Sequence, residues 1–158
     1  DPITRETRVI VEPGRYLVAR AGAFVARVVD RKRAEGATVV ILDGGINHLL
    51  RPALVGQEHR VVALGAPRGA GLEEPVTIAG PLCSGLDVLV RRVAMAPPEV
   101  GDLLAILDVG AYGFTESMPM FLSHPSPAEI AIRGGRAALI RPREEPAAWL
   151  DRQLLPAW

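Results

Sequence analysis

Between Thr38 and Ile140 the chain is cut into short apolar, β-branched runs, each stopped by glycine or proline before it reaches the length of an ordinary helix. Thr38–Leu42 lies between Gly36 and Asp43-Gly44-Gly45. Arg60–Leu64 and Glu74–Ala79 are separated by a Gly/Pro-rich connection from Gly65 to Gly71, which reads as a surface excursion. Asp87–Ala94 and Asp102–Val109 are joined through Ala96-Pro97-Pro98-Glu99-Val100-Gly101. Glu129–Arg133 and Arg136–Ile140 flank Gly134-Gly135, the strongest hairpin signal in the sequence, because two glycines supply the positive φ angles that a two-residue hairpin turn demands. With no strand–helix–strand rhythm after about residue 30, these runs predict a mainly β fold, a sandwich or small barrel.

The flanks read differently. Arg8-Val9-Ile10-Val11-Glu12 is a β-branched run stopped by Pro13-Gly14, a strand with Glu12 at its C-terminal tip, where α/β proteins place site residues. A lone leading strand needs neighbours, and the expectation is that they lie outside this chain. Tyr16–Val29 carries apolar residues at helical spacing, yet Phe24–Val29 is β-branched, so a short helix followed by a strand from about Phe24 is predicted. Ile46–Gly56 reads as loop or short helix, with Pro52 breaking any regular element that begins there. Pro146 opens a final amphipathic helix through Leu155, with Trp149 and Leu150 on its apolar side.

Composition narrows the function classes. A chain of 158 residues, 49% of them hydrophobic, is long enough for one core. Eighteen basic residues balance eighteen acidic ones, so no global field argues for nucleic acid or an anionic membrane surface. No apolar run approaches the roughly 20 residues of a membrane span. Cys83, the single cysteine, cannot form an internal disulfide, and the polar start Asp1–Arg8 is not the apolar region of a signal peptide; both favour a reducing, cytoplasmic compartment. Lysine chemistry has one candidate, Lys32, in the charged run Asp30-Arg31-Lys32-Arg33 that reads as a solvated turn. His48, His59 and His124 fall in separate loops without paired ligand spacing, so no metal site is expected. Gly44-Gly45 lacks the helix that should follow a dinucleotide fingerprint.

Three glycine- or proline-bounded segments carry candidate chemistry: Glu12-Pro13-Gly14-Arg15, Gly80-Pro81-Leu82-Cys83-Ser84-Gly85-Leu86-Asp87, and Gly110-Ala111-Tyr112-Gly113. Taken singly they are ambiguous. The first is equally a turn with a surface ion pair, Tyr112 a half-buried loop aromatic, and Cys83 an inert buried cysteine. Asp87 closes its loop and is suited to capping or orienting it.

Taken together, and with Asp43-Gly44-Gly45-Ile46-Asn47 and Arg51-Pro52-Ala53-Leu54, these segments resemble in order the C-terminal part of the fold-type III pyridoxal-phosphate decarboxylases, the diaminopimelate, ornithine and arginine decarboxylase group. The resemblance runs from about Val9 to Ile140. It implies a C-terminal β-sandwich or Greek-key barrel domain, preceded by the last strand of a (β/α)8 barrel that carries the Schiff-base lysine and is missing from this chain. The implied division is residues 1–22 for that strand and its turn, 23–142 for the β domain and 143–158 for a helical tail. The implied cofactor is pyridoxal 5′-phosphate. Glu12 matches the glutamate that pairs with the pyridine nitrogen and keeps the ring electron-withdrawing. Gly14 and Arg15 belong to the same cofactor-binding turn, where a guanidinium fork suits phosphate and substrate oxygens. Tyr112 matches the tyrosine that reaches the phosphate and lines the substrate pocket. Cys83 matches the cysteine that reaches across a dimer interface and is linked to protonating the product; a thiol serves as an acid because its reference pKa of about 8.5 lies near working pH.

Two positions depart from the family pattern. Ser84 stands where members acting on basic amino acids carry Asp or Glu to hold the distal ammonium, and serine makes no such ion pair. Val55 stands where the diaminopimelate branch has tyrosine after Arg-Pro-Ala-Leu. Arg51 is kept and suits an anionic group on the substrate. The resemblance therefore implies an amino acid decarboxylase of a biosynthetic pathway, acting on something other than a simple diamine precursor, with a carrier-bound amino acid as a candidate substrate. Expected partners are the barrel half, as a separate chain or a missing N-terminal part, a second copy or heteromeric subunit, and an acyl or peptidyl carrier protein; nucleic acid and membrane are not expected. The alternatives are a dimerisation or regulatory β domain without chemistry, and a related pyridoxal-phosphate racemase.

Overall fold

The computed structural model describes residues 7–34, 36–65 and 72–157. Six strands, β1 (Ala23–Ala34), β2 (Ala37–Leu42), β3 (Val61–Leu64), β4 (Glu74–Ala79), β5 (Val88–Met95) and β6 (Leu103–Leu107), form one sheet in the order β3-β6-β1-β2-β4-β5. A hairpin of β7 (Glu129–Arg133) and β8 (Arg136–Arg141) stands apart from it. The mainly β prediction holds, and the sheet curls into a half-barrel.

The curl follows from one long strand. β1 pairs with β6 over Ala23–Arg27 and with β2 from Val28 to Ala34, with a register shift between Val28 and Asp30 where it changes partner. Such an irregularity bends a strand and increases its twist, which turns the two halves of the sheet toward one another. Both β2 and β6 run antiparallel to β1, and β2 pairs in parallel with β4. Hence the loops that follow β2, β4 and β6 all leave from one end of the sheet, the end where β1 begins. That shared exit direction positions the candidate site.

The core lies within the curl. Val28, Val40, Leu42, Ile46, Leu49, Val76, Ile78, Leu89, Leu104 and Ile106 are almost fully buried, from both sides of the sheet's long axis and from the loop after β2. Each such side chain contributes about 1.5–3 kcal/mol relative to an exposed one.

Arg8–Glu12, expected as a strand whose neighbours lie outside this chain, has no partner strand beside it among the described residues, and Val9, Ile10 and Val11 are exposed. Two other expectations are corrected. Asp30–Arg33 is not a turn but the far half of β1, its backbone paired with Thr38–Ile41 while Arg33 bonds Glu74 at 3.0 Å. The turn falls later, around Gly36 at φ 72°. Pro52 does not prevent a helix; it occupies the first turn of α2 (Arg51–Val55), where no backbone donor is needed. Gly56, at φ 65°, closes that helix by donating its N–H to the Pro52 carbonyl.

At the chain ends, α1 (Gly14–Val18) precedes β1 as predicted, whereas the C-terminal helix is only α3 (Ala147–Leu150). Leu150, Leu154 and Leu155 stay exposed, and with little packing to support it the helix does not extend. The connection after Gly65 falls outside the described residues. Among the described residues no helix is long and apolar enough to cross a membrane.

Candidate active site

The loop carrying Cys83 is built on Asp87. Its carboxylate is 2% exposed and accepts two backbone N–H groups at 2.8 Å, from Leu82 within the loop and from Ile46 in the loop after β2. A side chain on Gly45 or Gly80 would overlap that carboxylate, which explains why glycine stands at both positions. Asp87 thus ties two loops together, the orienting role its position suggested. The Gly80 N–H donates to the Asp87 carbonyl, closing the loop at its base, and the Ser84 hydroxyl accepts the Leu86 N–H at 3.2 Å. Cys83 is exposed near the loop's tip, a free thiol rather than a buried one.

A second cluster joins α1, α2 and the loop after β6. Gln57 Oε1 accepts from Arg15 Nη1 at 2.6 Å and from Arg51 Nε at 2.8 Å. Arg51 Nη1 also donates to Glu116 Oε1 at 2.7 Å, an ion pair whose side chains are only 14% and 23% exposed. Partial burial weakens screening and makes this pair stronger than an ordinary surface one. The Arg51 guanidinium lies over the Tyr112 ring. Arg51 is paired with a carboxylate, whereas Arg15 bonds the neutral amide of Gln57, so the cluster keeps positive charge.

Tyr112 sits at φ 68° and ψ −65°, in a tight three-residue turn closed by the Gly113 N–H donating to the Ala111 carbonyl at 2.8 Å. That conformation is rare for a residue with a β-carbon and stores strain. Its backbone is fixed on both sides. Thr115 donates its hydroxyl to the Tyr112 carbonyl at 2.6 Å, and Gly110 donates its N–H to the Ala19 carbonyl at 2.9 Å. Gly22 and Gly110 approach so closely that a β-carbon on Gly22 would stand 2.6 Å from the Gly110 Cα. This contact locks the Tyr112 loop to the turn after α1 and explains how the Arg15 and Tyr112 segments meet.

Below the Tyr112 loop, His48 is packed between Phe24 and Phe114, with ring centroids at 6.0 and 6.4 Å. Nε2 lies 2.9 Å from the Pro125 carbonyl and 3.1 Å from the Asn47 side-chain amide nitrogen. Burial pushes its pKa below the ordinary histidine value, against the opposing pull of the Pro125 bond; Arg143 and His124 lower it further and Asp43 raises it. His59 is also buried and bonds the Leu107 carbonyl at 2.8 Å.

Of the residues singled out in the sequence, Arg15, Arg51 and Tyr112 come together. Glu12 lies on the exposed segment before α1, and among the described residues its side chain has no hydrogen bond or ion pair; Gly14 opens α1 with open space around it. Cys83 and Ser84 make no hydrogen bond, ion pair or ring contact with the arginine cluster among the described residues. Gln57 and Glu116 were not singled out: one is six residues after Arg51 and the other four after Tyr112, and neither spacing marks a contact that forms only when α2 meets the loop after β6.

This donor set suits pyridoxal phosphate. An unpartnered carboxylate, guanidinium groups in excess over their counter-ion, and a tyrosine held in place by a fixed turn match a protonated pyridine nitrogen and a phosphate.

Residues 15–110 match the family model described as pyridoxal-dependent decarboxylase, C-terminal sheet domain. The diaminopimelate decarboxylase of Archaeoglobus fulgidus is 37% identical over 156 residues, covering 99% of this chain and 36% of that protein. The L-glutamyl-[BtrI acyl-carrier protein] decarboxylase of Niallia circulans is 39% identical over 142 residues, covering 86% of this chain and 33% of that protein. A diaminopimelate decarboxylase from M. jannaschii, solved in complex with L-lysine, superposes with a TM-score of 0.82 at 34% identity, covering 90% of this chain and 32% of that one. The chain spans about a third of the length of the curated relatives it matches.

Proposed function

The chain belongs to the pyridoxal-dependent decarboxylase family, as its C-terminal sheet domain, and from that premise we propose that it forms part of a pyridoxal-phosphate-dependent amino acid decarboxylase whose lysine comes from a barrel half. The observation that carries this reading is the convergence of Arg15, Arg51 and Tyr112 around Gln57 and Glu116 at the end of the sheet from which the Cys83 loop also leaves.

Bound there, the cofactor supplies the electron-withdrawing ring that makes loss of carbon dioxide from an amino acid accessible. Glu12 would hold the proton on its ring nitrogen, while Gly14, Arg15 and Tyr112 would bind the phosphate end. Arg15 and Arg51 orient the substrate through its anionic groups. Cys83 holds on Sγ the proton delivered to the carbon that has lost carbon dioxide, and a thiol exposed near a loop tip is suited to reaching a site completed by another subunit. Residues 1–22 supply the closing strand and turn of the barrel, 23–142 the sheet domain and 143–158 the tail.

Ser84 sets the substrate apart. It spends its hydroxyl on the Leu86 N–H and brings no negative charge, which favours a substrate without a distal ammonium. A carrier-bound amino acid fits that requirement, and a relative named for a carrier-protein substrate is 39% identical. The test combines this chain with its barrel half, follows the cofactor's visible absorbance, and measures carbon dioxide from free and carrier-linked amino acids. Neither absorbance nor carbon dioxide from any of them would overturn the reading.

A further inference from the structure

We propose that Gln57 is a specificity-determining positioning residue: its amide oxygen holds Arg15 and Arg51 at a fixed spacing, so that the pair together receives one anionic part of the substrate. This rests on the reading of the arginine cluster as a substrate and cofactor site.

An amide oxygen has two lone pairs, and here both are used, one by Arg15 Nη1 at 2.6 Å and one by Arg51 Nε at 2.8 Å. The direction of the amide is set from behind. Gln57 Nε2 lies 3.2 Å from His59 Nε2, and His59 Nδ1 lies 2.8 Å from the Leu107 carbonyl. A carbonyl only accepts, so Nδ1 carries the proton and Nε2 is left as an acceptor. Gln57 must therefore turn its NH2 toward His59 and its oxygen toward the arginines. The relay ends on the backbone of β6, whose Leu107 N–H is itself bonded to the Arg60 carbonyl at 2.8 Å, and His59 is only 8% exposed.

An amide does what a carboxylate at this position would not. It draws two like charges to one acceptor without cancelling either, leaving the cluster with two guanidinium groups against the single carboxylate of Glu116. Arg51 Nη2 and Arg15 Nε and Nη2 make no hydrogen bond among the described residues and are available to an incoming anion. Without the shared acceptor the two side chains would separate, because no other group among the described residues bonds both.

The experiment uses the full-length holoenzyme and the variants Gln57→Met, of similar size without an acceptor, and Gln57→Glu, an acceptor that carries charge. KM and kcat are measured with the substrate, glutarate serves as a dicarboxylate probe in calorimetry, and thermal melts report folding. Both variants should raise KM and weaken glutarate about tenfold to a hundredfold, the range for a hydrogen bond to a charged group, with kcat changed less than about threefold and melting close to wild type. Unchanged KM and glutarate affinity in both variants would overturn the proposal, as would absence of glutarate binding to the wild type. If the wild type binds glutarate but releases no carbon dioxide, the decarboxylase reading fails, and glutarate binding by the variants still decides the role of Gln57.

Discussion

The Arg51 guanidinium lies 3.8 Å from the centroid of the Tyr112 ring. The first residue of α2 and a positive-φ residue of the loop after β6 therefore meet in one contact. A cation on an aromatic face contributes about 0.5–2 kcal/mol, and a non-glycine residue at positive φ costs about 1–3 kcal/mol. The two are of similar size, so strain at Tyr112 is offset by the contact that its conformation creates.

Replacing Tyr112 with glycine relieves the φ of 68° and removes the ring at once. Stability should change by less than about 1 kcal/mol, because the two effects oppose one another. Decarboxylation should fall about a hundredfold, the cost of misplacing a bound group. Urea melts and steady-state kinetics on the same preparation check both halves; full turnover in the glycine variant would remove Tyr112 from the site.

Asp87→Ala leaves the Ile46 and Leu82 N–H groups buried without their acceptor. A loss of about 2–4 kcal/mol is expected in urea unfolding, with Asp87→Asn losing less because it keeps one accepting oxygen. Equal stability of wild type and Asp87→Ala would mean that the Cys83 loop is not anchored by this carboxylate.

Cys83→Ala should lower decarboxylation about 10²–10⁴-fold while the cofactor's absorbance is retained, as expected for a lost general acid. Ser84→Asp, next to it, should shift preference toward substrates with a distal ammonium. A competition assay between a diamino acid and the native substrate reads that shift, and unchanged preference would dissociate Ser84 from substrate choice.

His48 links folding to pH. Its folded pKa lies below the ordinary value of about 6.5, chiefly through burial, so in acid the unfolded chain takes up a proton before the folded one does. The stabilisation is complete above about pH 6.5 and is lost as pH falls from there through the lowered folded pKa. Urea midpoints at pH 7.5 and 5.5 should therefore separate more in the wild type than in His48→Gln. Identical separations would show that Arg143, His124 and Asp43 leave His48 no net role.

How much was legible varies by residue type. β2, β4 and the β7–β8 hairpin were readable to within a residue, because β-branched runs bounded by glycine state a strand locally. Arg8–Glu12 has the same local signature yet stands unpaired among the described residues, since pairing requires a neighbour that local sequence does not supply. Asp30–Arg33 shows the reverse: a charged run continues β1 because β2 satisfies its backbone, while its charges remain in water. Among the candidate residues, Arg15, Arg51, Tyr112 and Cys83 were singled out through ordered motifs, whereas Gln57 and Glu116 belong to no motif.

The sequence by itself determined that this chain is a mainly β domain, that three glycine- or proline-bounded segments carry its candidate chemistry, and that Ser84 brings no charge to the Cys83 loop. Those properties depend on residue type and near-neighbour spacing. Only the tertiary structure decided which segments meet. The antiparallel pairing of β1 with both β2 and β6 sends their following loops off one end of the sheet, and the close approach of Gly22 and Gly110 brings α1 against the Tyr112 turn. Arg15 and Arg51, 36 positions apart, share the oxygen of Gln57 because folding placed them there; a hydrogen bond across that separation leaves no periodicity for a reader of the sequence to find.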